Sequence, residues 1–221
     1  GTTAADASGS NLTASATGPV SWTAGRIGGA AHFAGTTGSL GTAQAPIRTN
    51  ASFTVAAWVK LDHGSGSFTA VSQDGTRQSG YYLRYDNTID RWVFGMASTD
   101  TDTEVLRQAV SLAAPRYQVW THLAGVYDSA GGQLSLYVDG QLQGTSLHSS
   151  IWNAGGNLQI GRGLYRGAQV GWWPGDLDDV RVYQTVLPTS AIANLAAATA
   201  TAAGYWRLDE TSGTVAADSS G

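Results

Sequence analysis

The sequence predicts an all-β fold: two antiparallel sheets packed as a sandwich, with one short helix. Three observations lead there. Apolar runs are strand-length and separated by Gly, Asn, Asp and Ser, as in sandwiches and barrels rather than βαβ units. The clearest run, 52–61, puts Phe53, Val55, Ala57 and Val59 on one face and Trp58 on the other, so the strand is buried on both sides. Only 187–195 reads as a helix, with Pro188 in its first turn and Ile192 and Leu195 on one face.

The remaining elements follow in order. Strands are expected at 68–72, 81–85, 91–96 and 103–109, with turn-forming Asp-Gly, Asp-Asn and Ser-Thr-Asp segments between them. Residues 120–127 alternate apolar with small or polar residues, and 128–132 turn the chain into a strand at 133–138. Asp139-Gly140 is the strongest hairpin signal, since both residues tolerate the positive φ of a type I′ turn. The partner strand is 141–147, and 157–161 and 176–183 supply two more. An Ala/Thr spacer at 196–203 precedes a last strand at 204–209.

Composition bounds function. The 221 residues are 42% hydrophobic, with 8 Trp, 9 Tyr and 4 Phe, enough to bury a core without disulfide or metal staples. Twelve basic against sixteen acidic residues give a net charge of −4, which offers no basic field to a nucleic acid backbone. No run of 18 apolar residues is present, so membrane insertion is not expected, and the start lacks signal-peptide character. With no Cys, thiolate zinc sites, thiol nucleophiles and redox chemistry are excluded.

Residues 1–9 and 213–221 match at seven of nine positions with an offset of 212. A repeat period of that length divides the chain into a sandwich at 1–200 and, at 201–221, a spacer with the first strand and loop of a second copy.

Six phrases resemble the laminin G-like jelly-roll domains of the concanavalin A-like lectin and glucanase superfamily, in its bacterial secreted branch. They are YWRLDETSGTVAAD at 205–218, SFTVAAWV at 52–59, WTHLAGVY at 120–127, LYVDG at 136–140, LQIG at 158–161 and PGDLDDVRVY at 174–183. In that family the Trp-x-Leu-Asp-Glu strand comes first, whereas here it is displaced to the C-terminus. The resemblance implies a concanavalin A-like jelly roll completed by residues 204–221, either within the chain or in a neighbour by strand addition, with Tyr205, Trp206, Leu208, Asp209 and Glu210 as the exchanged residues.

Each candidate site has a plainer alternative. Glucanases on this superfold use paired carboxylates on one strand, and the nearest counterpart is Asp176-x-Asp178-Asp179. It lacks their Glu-x-Asp-x-Glu pattern and has Arg181 beside it, so no catalytic residue is assigned. His32, His63, His122 and His148 show no metal-ligand spacing. The resemblance implies a structural Ca2+ held by Asp6, Asn11, Asp178 and Asp179; the alternative is that Asp6 caps a turn through its own backbone. Trp58, Trp92, Trp120 and Trp206 read as core. Trp152, Tyr165, Arg166 and Trp172 lie in Gly- and Asn-rich loops and form a candidate sugar-stacking patch, against simple packing of loops over the sandwich end. Trp173, before Pro174, favours packing.

The expectation is a non-catalytic binding module of a larger secreted or surface protein, with a polysaccharide or glycoprotein glycan as partner and self-assembly through residues 204–221 as the alternative. Eleven of the twelve basic residues are Arg, which points to a GC-rich bacterial source.

Overall fold

The computed structural model describes residues 1–149 and 152–197. Its strands are β1 Thr3–Ala4, β2 Ala14–Thr17, β3 Val20–Ala24, β4 Gly29–Ala34, β5 Ser39–Gly41, β6 Phe53–Leu61, β7 Phe68–Asp74, β8 Ser79–Asp86, β9 Arg91–Met96, β10 Arg107–Val110, β11 Thr121–Asp128, β12 Gln133–Val138, β13 Gln141–Leu147, β14 Leu158–Ile160, β15 Gly163–Tyr165, β16 Ala168–Val170 and β17 Pro174–Tyr183. Helix α1 spans Thr189–Ala197. One sheet has the order β1-β2-β5-β14-β7-β8-β9-β10 and the other β13-β12-β11-β6-β17-β4-β3. Every pairing is antiparallel, so the two-sheet jelly-roll expectation holds.

The period-2 pattern explains the core. Phe53, Val55, Ala57, Val59 and Leu61 project from β6 toward Tyr81, Leu83 and Tyr85 of β8 and Trp92, Phe94 and Met96 of β9, all buried. Aromatic packing fixes the layer: Phe53 lies 5.0 Å from Tyr81 and meets Phe94 edge-on at 6.0 Å. On the outer face of the second sheet α1 seats Ile192 on Ala56, Ala124, Val126 and Tyr137. The predicted hairpin turn is present, with φ 49° at Asp139 and 78° at Gly140.

Three departures have physical causes. Strands β1–β5 carry mainly Ala, Ser, Thr and Gly, and so give little β-branched or aromatic signal. The strand expected at 103–109 begins only at Arg107, because Glu104 is held in a loop, accepting bonds from the Ser98 backbone N–H and the Thr99 hydroxyl. Trp120 is only half-buried, with the Lys60 ammonium 5.9 Å from its ring, whereas Trp58 and Trp92 are core residues as expected. Trp173 is fully buried and stacks on Trp92 at 6.2 Å.

Strand β17 organises one end of the sandwich. It pairs with β6 along both halves, with a bulge between Asp178 and Arg181. Its other edge pairs with β4 only from Pro174 to Leu177.

Candidate functional site

The loop end nearest the close of β7 gathers charged and aromatic side chains from segments far apart in sequence. The turn between β7 and β8 is held by Asp100, whose carboxylate accepts the backbone N–H groups of Thr76 at 2.8 Å, Arg77 at 2.7 Å and Gln78 at 2.7 Å. Burial alone would raise this carboxyl; the three N–H bonds outweigh it and leave the group below the usual carboxylate range. Arg77 reaches Asp102 through two bonds of 2.8 and 2.6 Å, the fork geometry that suits guanidinium and carboxylate. That guanidinium is the main reason the Asp102 carboxyl lies low.

Hairpin β15–β16 leans over the same turn. Arg166 and Gly167, at φ 53° and 76°, form its two-residue tip, a conformation that Gly adopts without strain. The Gly167 N–H donates to the Arg77 carbonyl at 2.8 Å, and Gln78 bridges to Tyr165. Arg166 donates from Nε to the Asp102 carbonyl at 2.9 Å, and its guanidinium stands 5.0 Å from the centre of the Tyr165 ring. Tyr165 is 38% exposed. Beneath them Arg162 makes a largely buried two-bond ion pair with Asp74, at 3.1 and 2.8 Å. The result is an exposed aromatic ring with the Arg166 guanidinium beside it, on a backbone tied at many points. It can stack on a flat apolar face and donate hydrogen bonds around it.

Of the sequence-proposed patch, Tyr165 and Arg166 sit at the hairpin tip, and Trp152 packs against Gly75 of the adjoining turn. Trp172 lies elsewhere. Its neighbour Gly171 accepts from the Thr69 N–H at 2.7 Å near the start of β7, about 20 Å along the strand from Gly75. Arg77, Asp100 and Asp102 were not singled out from the sequence; only the Asp-rich 100–102 stretch hinted at them.

A groove of about 800 Å3 opens between the sheets. Its apolar walls include Leu12, Leu40, Ile160, Leu177, Val180 and Val182. Asp6, Asp178 and Asp179 line it as well.

The Laminin_G_3 family, described as concanavalin A-like lectin/glucanases superfamily, matches residues 33–193. The chain belongs to this family. No curated protein matches it. Among solved structures, this Laminin_G_3 chain is similar to the binding domain of Paraclostridial Mosquitocidal Protein 1, with a TM-score of 0.66 and 14% identity over 87% of this chain and 48% of that one. The chain thus spans about half the length of that structure. It is also similar to domain 4 of AbnA, an extracellular arabinanase of Geobacillus stearothermophilus, in complex with arabinotriose (TM-score 0.57, 17% identity, 86% and 91% covered). A third is the IT-sialidase CBM40 of Ruminococcus gnavus bound to α2,3-sialyllactose (0.54, 17%, 66% and 83%). At these identities the likeness shows the fold.

The carboxylates named for Ca2+ have other partners in this Laminin_G_3 domain. Asp6 accepts the Leu12 N–H at 2.9 Å and the Ser8 N–H at 2.8 Å, bonds that hold its carboxyl below the usual range. Asp178 accepts the Ile27 N–H at 2.7 Å, and Asp179 takes the Arg181 Nε at 2.9 and 3.0 Å. Asn11 is exposed, at φ 57°. Among the described residues no group of three or more His, Asp or Glu is placed to hold a metal ion, and this donor set does not fit the six to eight oxygens calcium takes. Asp6 is a turn cap.

The carboxylates of β17 are also tied. Asp176 meets His32 Nδ1 at 2.7 Å and Lys60 Nζ at 3.1 Å, a cross-strand trio rather than a pair facing a cleft. Burial pushes His122 down to about 4, which keeps it neutral. Tyr205, Trp206, Leu208, Asp209 and Glu210 lie outside the described residues. No helix among those described is long and apolar enough to cross a membrane.

Proposed function

We propose that the chain is a non-catalytic glycan-binding module of a larger secreted or surface protein of bacterial origin, and that it takes sugars at the β15–β16 tip. The observation that carries this reading is the exposed Tyr165 ring with the Arg166 guanidinium beside it and Arg77 against the neighbouring Gly167. A pyranose offers an apolar face to stack and a rim of hydroxyls to accept from guanidinium groups, and this tip supplies both. The rigidity supports it too, because a surface already ordered loses less freedom on binding. Two fold relatives are solved with bound oligosaccharides, arabinotriose and sialyllactose. The pairing of Asp176 with His32 and Lys60, and of Asp179 with Arg181, favours binding over glycosidic cleavage. Several such modules in one protein would gain by multivalency.

The test is a glycan array of the full chain followed by calorimetry on the strongest ligand. Tyr165→Ala and Arg166→Ala are expected to weaken binding about tenfold each, a loss of roughly 1.4 kcal/mol, with the circular dichroism spectrum unchanged. Trp172→Ala is expected to leave affinity intact. A silent array, or full affinity in Tyr165→Ala, would overturn the reading.

A further inference from the structure

Charge around the turn after β7 pairs off with one exception. Asp74 is taken by Arg162 at 3.1 and 2.8 Å, and Asp102 by Nε and Nη2 of Arg77 at 2.8 and 2.6 Å. Asp100 is spent on the backbone N–H groups of Thr76, Arg77 and Gln78. Glu104, further along the same loop, accepts from the Ser98 N–H and the Thr99 hydroxyl. The exception is the exposed Arg166. Its Nε donates at 2.9 Å to a neutral acceptor, the Asp102 carbonyl, and its guanidinium stands 5.0 Å from the centre of the Tyr165 ring. Among the described residues no carboxylate forms an ion pair with it, and its two Nη groups make no hydrogen bond.

The backbone gives an independent sign. Tyr165 pairs with Ala168, so Arg166 and Gly167 make a two-residue turn with φ positive at both positions, 53° and 76°. Asn, Asp or Gly take the first position of such a turn readily, whereas a longer side chain sits there under strain. Gly is needed at the second position, because a Cβ on Gly167 would meet Arg77 Nη1 at 2.6 Å. The turn therefore places its permissive residue where Arg77 packs and accepts strain at Arg166. A strained position that carries a long cation with no carboxylate to meet is one that a ligand would use.

On the reading of the β15–β16 tip as a sugar site, we propose that Arg166 selects an acidic sugar: a pyranose bearing one carboxylate, of the uronic or sialic acid class. Such a sugar carries its carboxylate on a ring carbon, so a ring in contact with Tyr165 brings the carboxylate within reach of the guanidinium beside it. The spare Nη pair and a carboxylate match as two planar groups, two donors to two acceptors. That charge-assisted contact is roughly twice as strong as the bond a sugar hydroxyl would accept. The neighbouring carboxylates set the upper limit on ligand charge. Asp102 is 49% exposed, so a heavily sulfated chain would bring several negative charges against it, while a single carboxylate addresses Arg166 alone.

The test is calorimetry of the full chain with tri-galacturonate and a sialylated trisaccharide, each beside its carboxyl-reduced form, and with a sulfated neutral trisaccharide. One of the two acids is expected to bind about tenfold tighter than its reduced form, which names the source, and the advantage is expected to shrink as salt is added. Arg166→Asn removes the guanidinium with a residue that suits the turn. It is expected to keep or raise the thermal midpoint and to bring the acid and its reduced form to equal affinity. Tyr165→Ala is expected to weaken both forms alike. Silence with every sugar removes the sugar site and this proposal with it. Sugars that bind and lose affinity in Tyr165→Ala, yet bind equally with and without the carboxylate, keep the site and overturn the proposal. A carboxylate advantage that survives Arg166→Asn overturns it as well, as does a sulfated sugar that binds as tightly as the acid.

Discussion

Two regions of the sandwich, the turn after β7 and the groove beside β17, solve the same problem in opposite ways. At the turn between β7 and β8, leftover backbone N–H groups are satisfied by the Asp100 carboxylate from a distant loop, and in the same loop Asp102 takes Arg77 on its carboxylate and Arg166 on its backbone carbonyl. At the groove end, backbone and apolar side chains of β17 remain open on one edge. A turn tied down by carboxylates presents a fixed surface, suited to a small ligand. An open strand edge presents a template, suited to an added strand.

The largest effect should come from breaking the saturated end at its deepest point. Asp74→Ala leaves Arg162, only 7% exposed, as a buried cation without its carboxylate. Removing one partner of a buried pair costs about 3–5 kcal/mol, so the thermal midpoint should fall by many degrees. Asp102→Ala breaks a pair in which both side chains are nearly half exposed and screened by solvent, and it should lower the thermal midpoint far less. Calorimetric unfolding of the two variants checks the ranking, and equal losses would mean that the depth of burial is not what ties this end together.

The ends were unequally legible in the sequence. Long strands with β-branched and aromatic residues, such as β6, β11 and β17, announce themselves by alternation, and Asp139-Gly140 marks its own turn. Strands β1–β5 do not, because Ala, Ser and Thr give no period. Tyr165 and Arg166 were visible as loop residues, yet Arg77, Asp100 and Asp102 were not. Their roles depend on the turn after β7, the 98–105 loop and hairpin β15–β16 meeting in space, and no local pattern encodes that meeting.

A smaller effect sharpens the contrast through acid. Asp100 is held below its ordinary value of 3.8, so its contribution to stability is complete above 3.8 and disappears as pH falls through its lower folded value. Asp178, at the groove end, is pushed above 3.8 by burial, which its bond from the Ile27 N–H only partly offsets. Its sign is reversed: its contribution is complete below 3.8 and is lost as pH rises through the raised folded value. Carboxyl chemical shifts followed by NMR between pH 2 and 7 should therefore give midpoints on opposite sides of 3.8. Two midpoints on the same side would show that the ends are not electrostatically distinct.

The smallest expected effect concerns calcium, and it tests whether the groove end is as open as its strand edge. A structural ion there would bring Asp6, Asp178 and Asp179 to a common centre and make the groove a closed, metal-tied end like the other. The geometry points the other way. Asp6 spends one oxygen on Ser8 and the other on Leu12, Asp178 spends Oδ2 on Ile27, and Asp179 faces Arg181 with both oxygens. Recruiting them would break a turn cap and an ion pair to build a site with three carboxylates and an exposed amide. Calcium added after chelation is therefore expected to leave the thermal midpoint unmoved, whereas an ion bound with a hundredfold excess over its dissociation constant would add about 2.7 kcal/mol. A shift of that size would close the groove end and remove the asymmetry between the two ends.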